Sequence, residues 1–139
     1  MADDVVINKA AIVERCLSRI RQVYAEDDAN LLQDLTRQDS ILLNLQRACE
    51  ASIDLAMHLV RKRRLGLPQE SREAFDLLEA AGLLPVEVAR AMRAMVGFRN
   101  VAVHNYRSID LEIVRSIVRE RLADFEAFTS HVLRHLSEA

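Results

Sequence analysis

Helix-breaking residues are scarce in this chain, which has three glycines and two prolines among 139 residues. That leaves little room for the many tight turns of an all-β fold, and no segment alternates between apolar and polar residues as a half-buried strand does. Half of the residues are apolar and 29% are charged. This balance and length are typical of one globular domain, so we expect a single domain over residues 1–139.

Long apolar runs are also missing. The longest ones extend over only a few positions, far short of the roughly 18 residues that a membrane-spanning helix needs. The first residues, Met1-Ala2-Asp3-Asp4, are acidic where a secretory signal peptide would be basic. The sequence therefore predicts a cytoplasmic protein that does not act at a membrane.

Cysteine is rare, and Cys16 and Cys49 are not spaced as metal ligands. Both fall on apolar faces of predicted helices, which favours two buried thiols over a disulfide or a zinc site. His131 and His135 have the i,i+4 spacing of a metal pair, but no Glu or Cys accompanies them in a ligand pattern. We expect both histidines to be exposed near the last carbonyls of a helix. No metal and no cofactor are predicted.

A surplus of positive charge is lacking as well, because 19 Lys and Arg oppose 21 Asp and Glu for a formal net charge of -2. The chain therefore has no broad basic field with which to bind long nucleic acid through counterion release. An RNA site would have to depend on local arginines. Arg90, Arg93 and the segment Arg61-Lys62-Arg63-Arg64 are candidates, and ordinary surface charge is the alternative for each.

What the chain does contain is a series of segments with the apolar period of an α-helix. The first is predicted over residues 5–24. A second begins at a capping box, Thr36-Arg37-Gln38-Asp39, and ends near Arg64. A third fits residues 71–81, with Ser71 as its N-cap and Gly82 as its stop.

The fourth predicted helix begins at Pro85 and is apolar nearly all round. Such a helix is either central in the fold or pressed against a second copy of the protein. The last predicted helix covers residues 110–137, and its inward positions are Val114, Ile117, Val118, Leu122, Phe125, Phe128 and Val132. We therefore predict an all-α, up-and-down bundle of about five helices, which forms a two-fold homodimer if a second copy covers the fourth helix.

One charge interrupts the apolar face of the fourth helix. Arg99 follows Met92 and Met95 on that face. A charge taken out of water without a partner costs several kcal/mol, roughly, so Arg99 needs an acidic partner, a polar cleft or an external anion. Glu50 and Asp54 flank the apolar stripe of the second predicted helix, and either could be that acidic partner.

His104 lies five residues after Arg99, which is about 140° of rotation on an ideal helix. The two side chains can share a site if the helix ends between them, and the turn-like Asn105-Tyr106-Arg107-Ser108 predicts an end near here. A helix C-terminus would favour the protonated imidazole.

Arginine and histidine together can cleave a phosphodiester without a metal, the histidine moving protons and the guanidinium stabilising negative charge. One chain supplies a single histidine at this place. A dimer through the fourth helix would bring two copies of Arg99 and two of His104 into one cleft. From residue types alone, a helix cap with a hydrogen-bonded histidine is the alternative.

These residues also carry a family resemblance. Arg99-Asn100-Val101-Ala102-Val103-His104-Asn105-Tyr106 matches the R-N-x(3)-H-x-Y signature of HEPN domains. The likeness extends over essentially the full length, including Asn44-Leu45-Gln46-Arg47-Ala48-Cys49-Glu50-Ala51-Ser52-Ile53-Asp54-Leu55-Ala56, and the chain is most similar to the HepT branch. The resemblance implies a dimeric ribonuclease toxin with Arg99 and His104 as catalytic residues. Asn100 would orient the substrate or the histidine, and transfer RNA or messenger RNA would be cut.

The resemblance further implies a partner, an MntA-like minimal nucleotidyltransferase antitoxin. This partner would transfer AMP from ATP onto the motif tyrosine, here Tyr106, and thereby silence the nuclease. Tyr106 lies two residues beyond His104. Adenylylation would therefore bring bulk and a negative phosphate into the RNA cleft, where the phosphate competes with substrate for Arg99.

Two other functions are compatible with the same residues. The first is a non-catalytic helical dimer that binds nucleotide or RNA and serves as partner subunit of a nucleotidyltransferase. The second is a purely structural partner. A further stripe on the second helix, formed by Arg47, His58 and Arg61, is predicted to be a solvated face.

Overall fold

The computed structural model describes residues 1–138, and it confirms an all-helical chain. Its elements are α1 (Asp4–Tyr24), α2 (Asp28–Leu32), α3 (Leu35–Lys62), α4 (Ser71–Ala80), α5 (Val86–His104), a 3-10 turn (Tyr106–Ser108), α6 (Leu111–Ser116), a π-helical turn (Ile117–Arg121) and α7 (Leu122–His135). The five predicted helices correspond to α1, α3, α4, α5 and the continuous run from α6 to α7. No helix within the described residues has both the length and the apolar character needed to span a membrane.

The core lies between α1, α3 and the last helix, with α4 and α5 closing its other side. Every residue predicted to face inward on the last helix is buried. Phe75 on α4 and Phe128 on α7 meet edge to face, with ring centroids 5.4 Å apart and an interplanar angle of 71°. Such a pair adds about 1 kcal/mol to the stability that burial of the two rings already provides. The contact fixes α4, and with it the residues at its N-terminus.

Two helix starts differ from the predicted ones. The N-cap of α3 is Asp34, whose Oδ1 accepts a hydrogen bond from the Arg37 N–H at 3.0 Å, so the capping box predicted at Thr36 is wrong. Aspartate caps as well as threonine and lies earlier in the chain, so it takes the position. Ser71 is the first helical residue of α4 rather than its N-cap, which is Glu70. The Ser71 hydroxyl is therefore available for another partner.

The sequence gives no signal for the π-helical turn in the last helix. The wider turn allows Ile117, Val118 and Leu122 all to be buried. On its solvent side, Arg115 Nη1 and Arg119 Nη1 lie 3.4 and 3.6 Å from Asp28 Oδ2. The last helix is thereby joined to α2, a short helix that the periodicity did not predict.

The start of α1 is held by a buried carboxylate. Asp3 is 7% exposed, and its Oδ1 accepts a hydrogen bond from the Val5 N–H at 3.0 Å. Its Oδ2 lies 2.7 Å from His58 Nε2 and 2.8 Å from Lys62 Nζ, both on α3. We call Asp3, His58 and Lys62 the Asp3 cluster. The prediction that His58 belongs to a solvated stripe is therefore wrong, because the ring faces this carboxylate.

Both thiols are free and buried, as predicted. Cys16 is 6% exposed and Cys49 is 1% exposed. Burial raises the pKa of the Cys16 thiol and raises the pKa of Cys49 to about 12, because a thiolate loses its hydration in an apolar surrounding. Neither thiol is prepared for nucleophilic or metal chemistry.

Candidate functional site

Arg99 is held inside the protein by two neighbouring helices. Its Nη1 donates a hydrogen bond to Glu50 Oε1 on α3 at 3.2 Å, and its Nη2 donates one to Ser71 Oγ on α4 at 2.6 Å. The side chain of Arg99 is 17% exposed. The acidic partner that a half-buried guanidinium requires is thus Glu50. Ser71 is a second partner that sequence reasoning missed, since it was assigned to a helix cap.

The guanidinium of Arg99 keeps unused donor capacity. It carries five N–H donors, and the bonds to Glu50 and Ser71 use one each. Its Nε is buried without a hydrogen-bond partner among the described residues. The contact to Glu50 is a single bond, so Glu50 does not occupy the two-pronged edge with which arginine binds a carboxylate or phosphate. A phosphate oxygen could join this group without displacing all of its present partners.

Asp54, the other acidic candidate, does not face Arg99. Its Oδ2 pairs with Lys9 Nζ of α1 at 3.1 Å, in a largely exposed contact. Asp54 follows Glu50 by one turn of α3, and the rotation of about 40° over four residues directs it toward α1 instead of α5. The prediction that Asp54 supports Arg99 is wrong for this reason.

His104 is the last residue of α5, as the sequence predicts, and it is exposed. The helix continues unbroken from Arg99 to His104, so the expectation that it ends between them is wrong. The two side chains diverge by about 140° and are separated by roughly 7.5 Å along the axis. Arg99 points toward α3 and α4, whereas His104 points outward, and one copy of the chain does not join them. Asn100 is half-buried on the same helix, between them in sequence.

Tyr106 begins the 3-10 turn that follows α5. The residue is 49% exposed, and its hydroxyl donates to Asp39 Oδ1 of α3 across 3.5 Å. Partial burial and the negative charge of Asp39 raise the pKa of the phenol above its ordinary value. The hydroxyl therefore stays protonated near neutral pH while remaining accessible from solvent. From the sequence, Asp39 is predicted only as the last residue of a capping box, because its contact with Tyr106 spans 67 positions and leaves no local pattern.

A groove of about 800 Å³ runs along the outer face of α5. Its floor is apolar and is formed by Ala94, Met95, Phe98, Val101, Ile113 and Ile117. Val101 is 42% exposed and Ile113 is 53% exposed, although such side chains are usually covered. Charged residues of both signs also line the groove, namely Glu87, Arg90, Asp110, Arg121 and Asp124, and Gly97 of α5 lies in it as well. The rest of the chain covers only part of α5, and apolar residues of its uncovered part form the floor of this groove. This is why the helix is apolar nearly all round.

Two further candidates, His131 and Arg93, make structural contacts. His131 lies with Nε2 2.8 Å from the Leu83 carbonyl, so it is half-buried and does not lie at the helix end as predicted. Arg93 bridges Asp76 and Glu79 of α4 at 3.2 and 2.8 Å, which removes it from a phosphate track. Within the described residues, no group of three or more His, Cys, Asp or Glu is arranged to hold a metal ion.

The chain is similar to known ribonucleases and toxins. A family model described as Ribonuclease HepT-like matches residues 13–132. The mRNA nuclease HepT of Shewanella oneidensis is 48% identical over 126 residues, which cover 91% of this chain and 94% of that protein. Among solved structures, a tri-AMPylated Shewanella oneidensis HEPN toxin in complex with an MNT antitoxin superimposes with a TM-score of 0.88. It is 46% identical, over 94% of this chain and 97% of that one.

A second solved structure, of a toxin–antitoxin with AMP-PNP, superimposes with a TM-score of 0.89. The two chains are 45% identical, and the match covers 94% of this chain and 98% of the other.

Proposed function

The chain belongs to the HepT-like ribonuclease family, and on that premise we propose that it is a metal-independent endoribonuclease toxin that acts as a homodimer. One observation carries the proposal: Arg99 and His104 lie on one helix but point in different directions. Arg99 is held inward by Glu50 and Ser71, and His104 is exposed where α5 ends. Each copy of the chain therefore presents its two reactive groups separately. A second copy is needed to bring histidines and arginines together.

The groove along α5 is the place where we expect that second copy. Val101 lines the groove, and His104 follows it by three residues on the same side of the helix. A two-fold partner seated on the apolar floor would bring its own His104 to the same end of the helix pair. The charged rim carries both signs, so it can pair with itself across a two-fold axis.

In the proposed reaction, one His104 acts as base and takes the proton of a ribose 2′-hydroxyl. The 2′-oxygen then forms a bond to the adjacent phosphorus, and the bond from phosphorus to the 5′-oxygen breaks. The second His104, protonated, gives its proton to the departing 5′-oxygen. The products are a 2′,3′-cyclic phosphate and a 5′-hydroxyl, and no step requires a metal.

Arg99 would stabilise the extra negative charge on the five-coordinate phosphorus. Its bonds to Glu50 and Ser71 hold the guanidinium before substrate arrives, which lowers the ordering cost that a free side chain would have to overcome. Asn100, half-buried between the two catalytic residues, would orient the substrate or the histidine. Because the guanidinium of Arg99 is already paired with Glu50, it also binds a product phosphate less strongly than an unpaired arginine would.

Tyr106 would be the site of control. Its exposed hydroxyl can attack the α-phosphorus of ATP, so that AMP becomes bound to the ring oxygen, pyrophosphate leaves and the phenolic proton is released. The proposed catalyst is an MntA-like minimal nucleotidyltransferase, supported by the antitoxin complexes of the similar toxins. A nucleotide two residues from His104 would occupy the cleft and offer its phosphate to Arg99.

The relative from Shewanella is named an mRNA nuclease, and messenger RNA is therefore the substrate to test first. Purified protein is incubated with messenger RNA and transfer RNA in EDTA, and the new ends are analysed chemically. Scission with a 2′,3′-cyclic phosphate end is the expected result. Retention of RNA without scission would instead identify a non-catalytic binding dimer that serves as partner subunit of a nucleotidyltransferase.

A further inference from the structure

Arg72, the second residue of α4, lies against α5 at a glycine. A Cβ atom at position 97 would be 2.5 Å from Arg72 Nη2, which is closer than side chains tolerate. Arg72 Nε also donates to the carbonyl of Arg93 at 3.3 Å. Glycine is unfavourable inside a helix, and the space left by its missing side chain is filled here by the guanidinium. Arg72 thus lies on the backbone surface of α5, joined to it by one hydrogen bond and with its Nη2 over Gly97.

The charge of Arg72 has no acidic partner within residues 1–138. The acidic side chains of α4 are engaged elsewhere. Asp76 and Glu79 pair with Arg93, and Glu73 accepts from the backbone N–H of Gln69 at 2.9 Å. A guanidinium that is held in place but left uncompensated can bind an anion without giving up an existing ion pair.

The position of Arg72 relates it directly to His104. Gly97, Asn100 and His104 are spaced three and four residues apart, so they form one face of α5. Arg72 lies over the first of these positions, two turns before the histidine. Arg99 points away from this face toward α3 and α4. Within one copy of the chain, Arg72 is therefore a cation on the side of α5 that presents His104.

We propose that Arg72 is a substrate-binding residue that holds an RNA phosphate beside the linkage presented to His104. This inference rests on the proposed function. Gly97 is then a positioning residue, because its lack of a side chain allows the guanidinium to lie on the helix. An arginine fork bound to phosphate adds affinity without reading bases.

The experiment measures binding of a short, fluorescently labelled, single-stranded 2′-O-methyl RNA, which keeps the phosphates but cannot be cleaved through its 2′-oxygen. Anisotropy titrations over a range of salt concentrations give the affinity and its salt dependence. Arg72→Ala should weaken binding and reduce the slope of log K against log salt by about 0.7 for each phosphate that the protein no longer neutralises. The control is Arg134→Ala, which removes the same charge from an exposed position on α7 and should leave the slope unchanged.

Gly97→Ala keeps every charge and displaces the guanidinium of Arg72. Because Gly97 also lines the groove, sedimentation should show that the variant self-associates as wild type does. Alanine favours helix over glycine, so the variant should fold, yet it should bind the RNA more weakly than wild type. Combining it with Arg72→Ala should add nothing further. Arg72→Lys, which keeps the charge without the fork, should restore part of the affinity.

The inference is overturned if Arg72→Ala binds with the slope and affinity of Arg134→Ala while wild type still cleaves RNA. It is also overturned if Arg72→Ala weakens self-association in sedimentation but leaves the salt slope unaltered, which would assign Arg72 to the second copy of the chain. Failure of wild-type protein both to bind the probe and to cleave RNA would count against the proposed function itself.

Discussion

Glu50 on α3 and Arg99 on α5 form an ion pair of 3.2 Å across 49 positions of sequence. The guanidinium is the less exposed partner, at 17%, and the carboxylate is 41% exposed. The contact joins the middle of the longest helix to the segment that carries the family signature. The orientation of the proposed catalytic arginine is thus decided by a residue outside the signature.

Glu50→Ala should slow cleavage markedly while reducing the free energy of unfolding only slightly. The half-exposed ion pair is screened by water, so we expect a loss of about 1 kcal/mol in the free energy of unfolding. The guanidinium would keep only Ser71 and lose its fixed orientation. Urea denaturation and single-turnover cleavage measure the two effects. The control is Asp54→Ala on the same helix, and an equal loss of cleavage in that variant would contradict the assignment of Glu50.

His104→Ala and Arg99→Ala should each reduce the cleavage rate by about 100-fold or more. The first change removes proton transfer, and the second removes charge stabilisation at phosphorus. Circular dichroism and sedimentation should show folded dimers in the His104 variant, since that side chain is exposed. The control is His135→Ala, which removes an exposed histidine of α7. Unaltered cleavage by a folded His104→Ala protein would refute the catalytic assignment.

Val101→Glu should convert the protein to a monomer and abolish cleavage. Val101 is 42% exposed on the floor of the groove, and a carboxylate there would have to be buried against a second copy. Val86→Glu is the matched control, because Val86 lies on the same helix, is 50% exposed and does not line the groove. Sedimentation equilibrium measures the association. A dimer that persists in the Val101 variant would move the subunit contact to another face.

Tyr106→Phe should remove AMP incorporation during co-expression with a neighbouring nucleotidyltransferase and leave the nuclease active. The chain has one other tyrosine, Tyr24, which is 7% exposed and therefore protected from modification. Mass spectrometry of intact protein and of tryptic peptides locates any increment of AMP. An increment that remains in the Phe variant would show that another residue is the acceptor.

Asp3→Asn should change how stability depends on pH. Burial alone would raise the pKa of Asp3, but hydrogen bonds from Lys62 and His58 outweigh it and hold that pKa far below the ordinary 3.8. The folded carboxylate stays charged where the unfolded one takes up a proton. Its contribution is therefore present above pH 3.8 and is lost as pH falls further.

We expect Asp3→Asn to lower the free energy of unfolding by about 2 kcal/mol at pH 7. The difference from wild type should shrink in acid, below about pH 4. Urea denaturation at several pH values measures both effects. Asp4→Asn, at the adjacent exposed position, is the control and should leave the pH dependence unaltered. A difference that stays constant down to the acid limit would contradict the role of the Asp3 carboxylate.

Most of the helical architecture can be predicted from periodicity, because burial and period are coupled on an amphipathic helix. The inward residues of the last helix illustrate this, from Val114 to Val132. Helix starts are harder to predict, since several residues near a boundary can cap it. Asp34 and Thr36 can both serve as the N-cap of α3, and in the structure Asp34 is the cap.

The segment that carries the candidate site could be predicted from the sequence, but the spatial arrangement of its side chains could not. The signature from Arg99 to Tyr106 can be recognised in the sequence, whereas the partners of its side chains lie on α3 and α4 and leave no local pattern. Glu50 and Asp54 are equivalent in spacing, and only the rotation of α3 decides between them. The contact between Arg72 and Gly97 depends on where α4 packs, which no local propensity encodes.

The shielding of both thiols makes this protein well suited to chemical labelling. Cys16 and Cys49 are buried and their thiol pKa values are raised, so maleimide reagents should not react with them in the native state. A cysteine introduced at a surface position can then be tagged with a dye without first replacing either natural one. The rate at which the two natural thiols are slowly labelled would in turn report how fast the core opens.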